Sequence, residues 1–178
     1  MKIIKGIILA AIIVAMLTSC HKMTKREAVN FNDNVIFCIQ EIEKYQGRAG
    51  SINPQEVLAI EDIENGYEKV IEKSKGYKTE LKDVFKSYKH PACKKLKKAF
   101  YVYVDEQVKL TEDYQPQISE TYKTYLSNIE ENDSVATAQA FNQFINLAKK
   151  YEEDSKPIIE KFFSAHDTYV AETGIKLR

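Results

Sequence analysis

The stretch FYVYV at residues 100–104 decides whether this chain is all-helical or contains a sheet. Taken alone it predicts a β-strand, because valine and tyrosine are enriched in strands. The surrounding sequence favours a helix, since apolar residues recur at helical spacing on both sides of it, at Cys93, Leu96, Phe100, Val104 and Val108. We predict that this helix begins at Pro91, because proline suits the first helical position and disfavours helical geometry at His90.

The apolar period continues beyond Pro116, which we expect to kink or interrupt this helix because proline lacks the N–H that an interior turn needs. A turn follows, and either Asp133 or Ser134 should cap a last helix. Pro157 should bend that last helix, and Gly174 should end it.

The first helix of the chain has a start signal of its own. Thr24 and Glu27 have the spacing of a capping box, in which the hydroxyl and the carboxylate each accept a hydrogen bond from a free backbone N–H. The stripe behind them follows a helical period and consists of Phe31, Val35, Cys38, Ile42 and Tyr45. We predict that the helix stops within the glycine-containing stretch at residues 47–50.

A second helix should begin with Asn53 as the N-cap and Pro54 at the first helical position. It should run to about Ser74 and be broken by Gly76. Residues 77–90 allow two interpretations, a short helix or an irregular connection packed across the end of the bundle.

Four long helices with short connections pack most economically as an antiparallel bundle. The sequence therefore predicts an all-α fold, an antiparallel four-helix bundle with kinked third and fourth helices, over residues 24–178. The chain has only four prolines and six glycines, which agrees with long uninterrupted helices. A domain of this size can bury about 70% of the surface of its unfolded chain.

The first 19 residues have the pattern of a secretory signal peptide, with a basic start and an unbroken apolar run from Ile7 to Leu17. This run is shorter than the roughly 20 residues that span a bilayer, although an uncleaved membrane helix remains the alternative. The sequence LTSC that ends at Cys20 resembles the lipobox of bacterial lipoproteins. That resemblance implies cleavage before Cys20 and a diacylglycerol on its thiol, with residues 20–23 as a lipidated tether.

Removal of residues 1–19 would leave 24 basic and 26 acidic side chains, a formal charge of −2. Such a balance argues against a nucleic-acid-binding protein, which would carry a strong basic excess. Two further cysteines, Cys38 and Cys93, either form a disulfide outside the cytoplasm or pack in the core as free thiols.

The sequence shows no combination of residues that indicates catalysis or metal binding. None of the three histidines follows a glutamate at the spacing that helical di-metal sites use, and no C-x-x-C, H-E-x-x-H, G-x-S-x-G or phosphate-loop motif is present. His166 lies at the edge of an apolar stripe, where a partly buried and hydrogen-bonded role is the plain expectation. We therefore expect no enzymatic activity, no metal and no cofactor apart from the covalent lipid on Cys20.

A cluster of basic residues is the remaining candidate site. We call it the lysine patch; it consists of Lys86, Lys89, Lys94, Lys95, Lys97 and Lys98. Such a patch can bind anionic head groups, phosphates or an acidic glycan. The alternative is a solvated helix face whose charge is balanced by nearby acids.

The segment AVNFNDNV at residues 28–35, with Gln40 after it, is similar to the aromatic-Asn-Asp-x-Ile/Val…Gln opening of a family of uncharacterised helical surface lipoproteins of spirochaetes and the Bacteroidetes group. Phe31 stands where that family usually has tyrosine. The lipobox, the chain length and the helix layout agree with the family as well. The resemblance implies the fold and the envelope location, and it implies no catalytic residues.

From these patterns we expect a non-enzymatic lipoprotein of the bacterial cell envelope, anchored in the outer membrane. The sequence does not decide between the periplasmic side and the surface side of that membrane. Its partner would be an envelope protein or a glycan, and it would not bind nucleic acid. The alternative is a binding protein for a small apolar or anionic envelope ligand, held in a cleft between helices near Pro116 and Pro157.

Overall fold

The computed structural model describes residues 23–50 and 58–176, with only the backbone described at 47–50. Within these residues the chain forms four helices and no strand: α1 (Lys25–Gly50), α2 (Ile60–Ser87), α3 (Pro91–Glu130) and α4 (Ser134–Thr173). The FYVYV stretch lies inside α3, so the all-α prediction is confirmed. The predicted signal peptide, the lipidation site Cys20 and the predicted cap at Asn53 and Pro54 lie outside the described residues.

Successive helices of the bundle are antiparallel. Phe31 of α1 packs on Phe85 of α2 at 5.0 Å between ring centroids, and Phe37 packs on Tyr77 at 6.3 Å. Residue numbers therefore rise along α1 as they fall along α2. The other neighbouring helices show the same opposite numbering. α2 and α3 are joined by Glu64–Lys123 and Lys78–Asp105, and α3 and α4 by Tyr122–Phe144 and Lys95–Glu172. α4 and α1 are joined by Tyr151–Gln46 and His166–Asn32.

Local capping sets the start of α1 as the sequence predicts. The Thr24 hydroxyl accepts a hydrogen bond from the Glu27 N–H at 3.2 Å, and the Glu27 carboxylate accepts one from the Thr24 N–H at 2.7 Å. This reciprocal pair is the predicted capping box, in which two backbone donors that lack helical partners are satisfied.

The starts of α3 and α4 are also confirmed. His90 is the extended N-cap of α3, and its Nδ1 accepts a hydrogen bond from the Ala92 N–H at 3.3 Å. Asp133, one of the two predicted caps, is the N-cap of α4; its carboxylate accepts hydrogen bonds from the second and third N–H groups of the helix at 3.1 and 2.9 Å. Gly174 ends α4 in the left-handed conformation, with φ 63°, which glycine adopts without a steric cost.

The predicted bounds of the second helix are wrong. The helix begins at Ile60, after an extended Ala59 at φ −66° and ψ 142°, so no single helix runs from Pro54 to Ser74. At its other end Gly76 does not break it, and residues 77–87 continue the same helix. Glycine costs about 1 kcal/mol in a helix interior, and we attribute the continuation to the buried residues that α2 carries on both sides of Gly76.

Both interior prolines are accommodated within continuous helices. α3 runs through Pro116 and α4 runs through Pro157. Of the two outcomes predicted at Pro116, a kink or an interruption, the interruption is therefore wrong, and the kinks at Pro116 and Pro157 stay predictions. Proline removes one backbone hydrogen bond from an interior turn. Buried Tyr114 and Ile118 on either side of Pro116 hold that part of α3 against its neighbours.

The apolar core has two parts along the bundle axis. The cluster that includes the starts of α1 and α3, which we call the near cluster, surrounds Phe31, Phe85, Phe100, Phe162 and Tyr169. The far cluster consists of Ile63, Tyr67, Tyr114, Ile118, Tyr122, Phe144 and Tyr151. Among the described residues, the far cluster draws its buried members from α2, α3 and α4.

Candidate functional site

The lysine patch lies at the end of the bundle where the described chain begins. The Cys93 thiol, in the first turn of α3, donates a weak hydrogen bond to the Met23 sulfur at 3.2 Å. Lys94 and Lys95 directly follow Cys93, so they lie close to the point where residues 20–22 would continue the chain. The residue predicted to carry the lipid, Cys20, is three positions before Met23.

The structure brings the six lysines to one end but gives them different surroundings. Lys86 is hydrogen-bonded to Asp83 at 2.6 Å, and this bond raises the pKa of the ammonium group. Lys95 forms an ion pair with Glu172 of α4. Each pair is solvent-exposed and therefore adds little to stability.

The other four lysines remain available for an anion. Lys97 lies 5.5 Å from the ring centroid of Tyr101, within reach of a cation–π interaction. Lys89, Lys94 and Lys98 are exposed, and no ion pair joins them to any part of the chain that the structure describes. Lys94 and Lys98 are one helical turn apart, so they share the outward face of α3.

The disulfide alternative for Cys38 and Cys93 is wrong in this structure, where both thiols are free and buried. Cys93 contacts Met23, just before the start of α1, whereas Cys38 lies 13 residues into that helix, which is about 20 Å along its axis. A disulfide needs Cα atoms within about 7 Å. Burial raises the pKa of Cys38 to about 12 and also raises the pKa of Cys93, so neither is a reactive thiolate.

A cleft of about 750 Å³ between α1 and α4 contains His166, which is buried. The His166 Nε2 lies 2.7 Å from the Asn32 Oδ1, which requires that this nitrogen carries the proton and donates it. Burial lowers the pKa of His166, so the ring is neutral near pH 7. The expectation of a buried, hydrogen-bonded histidine is thus confirmed, and Asn32 belongs to the NFNDN segment that carries the family resemblance.

An apolar groove of about 310 Å³ runs between α3 and α4. Its floor is formed by Ala99, Val102, Tyr103, Ile158, Phe162 and Ala165. Lys95, Lys98 and Lys161 line it too, and Lys161 is paired with Glu106 at 2.6 Å. The groove adjoins Pro157 through Ile158 but lies away from Pro116. The apolar periodicity of the sequence could not predict this groove, because the groove depends on the distance between α3 and α4.

The opposite end of the bundle is the turn between α3 and α4, which we call the hairpin tip. It carries a shallow notch of about 470 Å³ lined by Tyr125, Ile129, Asn132, Ser134, Thr137, Ala138 and Phe141. Ile129 and Val135 are exposed there to 38% and 66% of their surface. Exposed apolar residues on both sides of a concave surface are typical of an interaction site.

The described residues contain no cluster of three or more side chains that could hold a metal ion. None of the helices in the described part combines the length and apolarity that a bilayer span requires. Comparison of the chain with protein-family models, with curated proteins and with solved structures gave no match.

Proposed function

We propose that this chain is a lipid-anchored protein of the bacterial cell envelope that acts without catalysis, as an interaction module held in place at one end. The observation that carries the proposal is the separation of its two ends. The chain continues toward Cys20 from Met23, at the lysine-patch end, whereas the exposed apolar residues of the hairpin tip lie at the other. With 40 residues, α3 is about 60 Å long, so the hairpin tip lies far along the bundle from the end that continues toward Cys20.

The lipid anchor is inferred from the LTSC sequence and from the number of acyl chains that a lipoprotein cysteine carries. Each buried CH₂ contributes about 0.8 kcal/mol, and two acyl chains hold a protein on a membrane stably where one does not. The family resemblance at residues 28–35 supports the same envelope location. The partner is an envelope protein or a glycan, and the hairpin tip is where we expect it to bind.

The experiment is crosslinking in cells with a photoreactive amino acid at Val135, followed by purification of the lipidated protein. The same amino acid at Glu160, an exposed position on α4 away from both ends, is the matched control. We expect one partner that crosslinks from Val135 and not from Glu160. We expect that this partner is lost in Cys20→Ala and in Ile129→Asp. Crosslinking that is equal from both positions, or unchanged in both variants, would refute the interaction-module proposal.

A second candidate function is favoured by the groove between α3 and α4. An apolar floor beside Lys98, which no carboxylate in the described residues pairs with, suits an aliphatic chain with an anionic head group, and the groove volume lies at the lower limit of ligand pockets. Ala165→Phe should fill the groove. Stabilisation of the wild type by a medium-chain fatty acid in a thermal-shift assay, lost in Ala165→Phe, would favour this candidate over the first. No shift in either protein would remove it.

A further inference from the structure

The two ends of the bundle carry opposite charge. The basic end, defined as residues 23–32, 82–98 and 166–176, has ten lysine and arginine side chains and four carboxylates, a formal charge of +6. The acidic end, defined as residues 58–68 and 118–148, has one lysine and eight carboxylates, a formal charge of −7. These ranges are contiguous in the fold because Lys95 pairs with Glu172 at the first end and Glu64 pairs with Lys123 at the second.

The basic end is also the end that the lipid would hold. Met23 is three positions after Cys20, and three residue steps span at most about 11 Å when the chain is fully extended. The Debye length at physiological ionic strength is about 8 Å. The exposed lysines near Cys93 would therefore be kept within about one to two Debye lengths of the surface in which the acyl chains are embedded.

Electrostatics then distinguishes an upright bundle from one that lies flat. In the upright arrangement the basic end is close to the surface. The acidic end begins about 30 Å further along α3, because residues 98 and 118 are 20 residues apart, and its charge is screened there. In the flat arrangement the acidic end comes within a Debye length of the surface and is repelled by anionic head groups. Each lysine near an anionic surface favours the close arrangement about fivefold.

We propose that the basic end is a docking surface for the anionic head groups of the membrane that holds the anchor, so that the bundle stands upright with its hairpin tip directed away. Lys89, Lys94 and Lys98 make the main contribution, because they are exposed and no carboxylate in the described residues pairs with them. Lys97 adds to the same surface. This inference goes beyond the proposed function and rests on it only for the lipid anchor.

The test measures how far the tip lies from the bilayer. The full-length lipidated protein with Val135→Cys is labelled with a donor dye and placed in vesicles that contain an acceptor lipid. Cys38 and Cys93 are buried and should not label. One set of vesicles is phosphatidylcholine alone, and the other contains equal parts of phosphatidylcholine and phosphatidylglycerol. We expect energy transfer to be at least about twofold lower in the anionic vesicles at low salt, with the difference lost at high salt.

Two triple variants with the same change in net charge give the control. Lys89, Lys94 and Lys98 changed to Glu should raise transfer in the anionic vesicles to the neutral value, because reversal of three charges shifts the upright-to-flat ratio by about a hundredfold or more. The matched variant changes three exposed lysines outside the basic end to Glu and should leave the difference between vesicles in place; these are Lys109, Lys149 and Lys150. Thermal unfolding of both variants confirms that the bundle is intact.

The outcomes separate the inference from the anchor. Equal transfer in both vesicles, or equal effects of the two triple variants, refutes the docking surface while flotation with neutral vesicles still supports the anchor. Flotation only with anionic vesicles, lost in the basic-end variant, supports the docking surface and refutes the anchor. A protein that floats with neither kind of vesicle refutes both.

Discussion

Replacement of Gln107 by methionine should stabilise the bundle. Gln107 lies in α3 with none of its surface exposed, and neither its Nε2 nor its Oε1 has a hydrogen-bond partner among the described residues. Ser74 Oγ and Tyr103 OH are unpartnered in the same way. The bundle therefore contains several buried polar groups without a partner among the described residues.

The expected gain follows from the two amide atoms. A buried polar group without a partner costs about 1–3 kcal/mol, whereas an apolar side chain of the same shape at that position carries no such cost. Methionine has the unbranched length of glutamine, and swaps that conserve volume cost less than about 1.5 kcal/mol in packing. We expect Gln107→Met to raise the free energy of unfolding by about 1–2 kcal/mol, which is a rise in Tm of about 2–8 °C for a domain of this size.

The assay is urea denaturation followed by far-ultraviolet circular dichroism, with the slope m compared between variants to check that the unfolded state is unchanged. Gln143→Met on the exposed face of α4 is the matched control and should change stability by less than about 0.5 kcal/mol. A loss of about 1 kcal/mol or more in Gln107→Met would refute the reasoning. It would show that the Gln107 amide is hydrogen-bonded in solution, for example to a buried water molecule.

Four further results are expected. Asp133→Ala should lower the free energy of unfolding in urea by about 1 kcal/mol, because it removes the cap of α4; an unchanged value would contradict the cap. Burial lowers the pKa of His166, so the unfolded chain takes up the proton at a higher pH than the folded one. The free energy of unfolding should therefore fall as pH drops below about 6.5, and less so in His166→Gln; equal slopes would contradict this. Cys38 and Cys93 should resist a thiol reagent in the native protein, and both should react in denaturant without prior reduction. If they react only after a reductant is added, the two residues form a disulfide. Gly76→Ala should stabilise the protein by about 0.5–1 kcal/mol by thermal unfolding, because an added Cβ meets nothing within 4 Å; destabilisation would show that the helix is not continuous there.

Features set by neighbouring residues could be predicted from the sequence, and features set by packing could not. The capping box at Thr24, the cap at Asp133 and the proline start of α3 each depend on groups within four residues, and all three predictions are confirmed. The predicted break at Gly76 is wrong because the local cost of glycine is smaller than the gain from the buried residues of α2 around it. The start of α2 at Ile60 has no side-chain cap, so no local signal marked it.

The candidate sites show the same division. The sequence identified the lysine patch because its members are close in the chain. It could not pair Asn32 with His166, which are 134 residues apart, nor could it place Cys38 and Cys93 too far apart for a disulfide. The grooves and the notch depend on the separation of helices, which periodicity does not determine.

The charge separation along the bundle explains why composition gave no sign of a membrane surface. The whole chain carries 26 basic and 26 acidic side chains, and a balanced total argues against an electrostatic partner. An antiparallel bundle, however, returns the chain to each end, so residues 82–98 and 166–176 gather at one end while residues 58–68 and 118–148 gather at the other. The charges of +6 and −7 are about 30 Å or more apart along α3, which exceeds the Debye length several-fold, so they are independent at physiological salt. A partner at either end therefore meets the charge of that end alone, and for a chain tethered at Cys20 the end nearest to the lipids is the basic one.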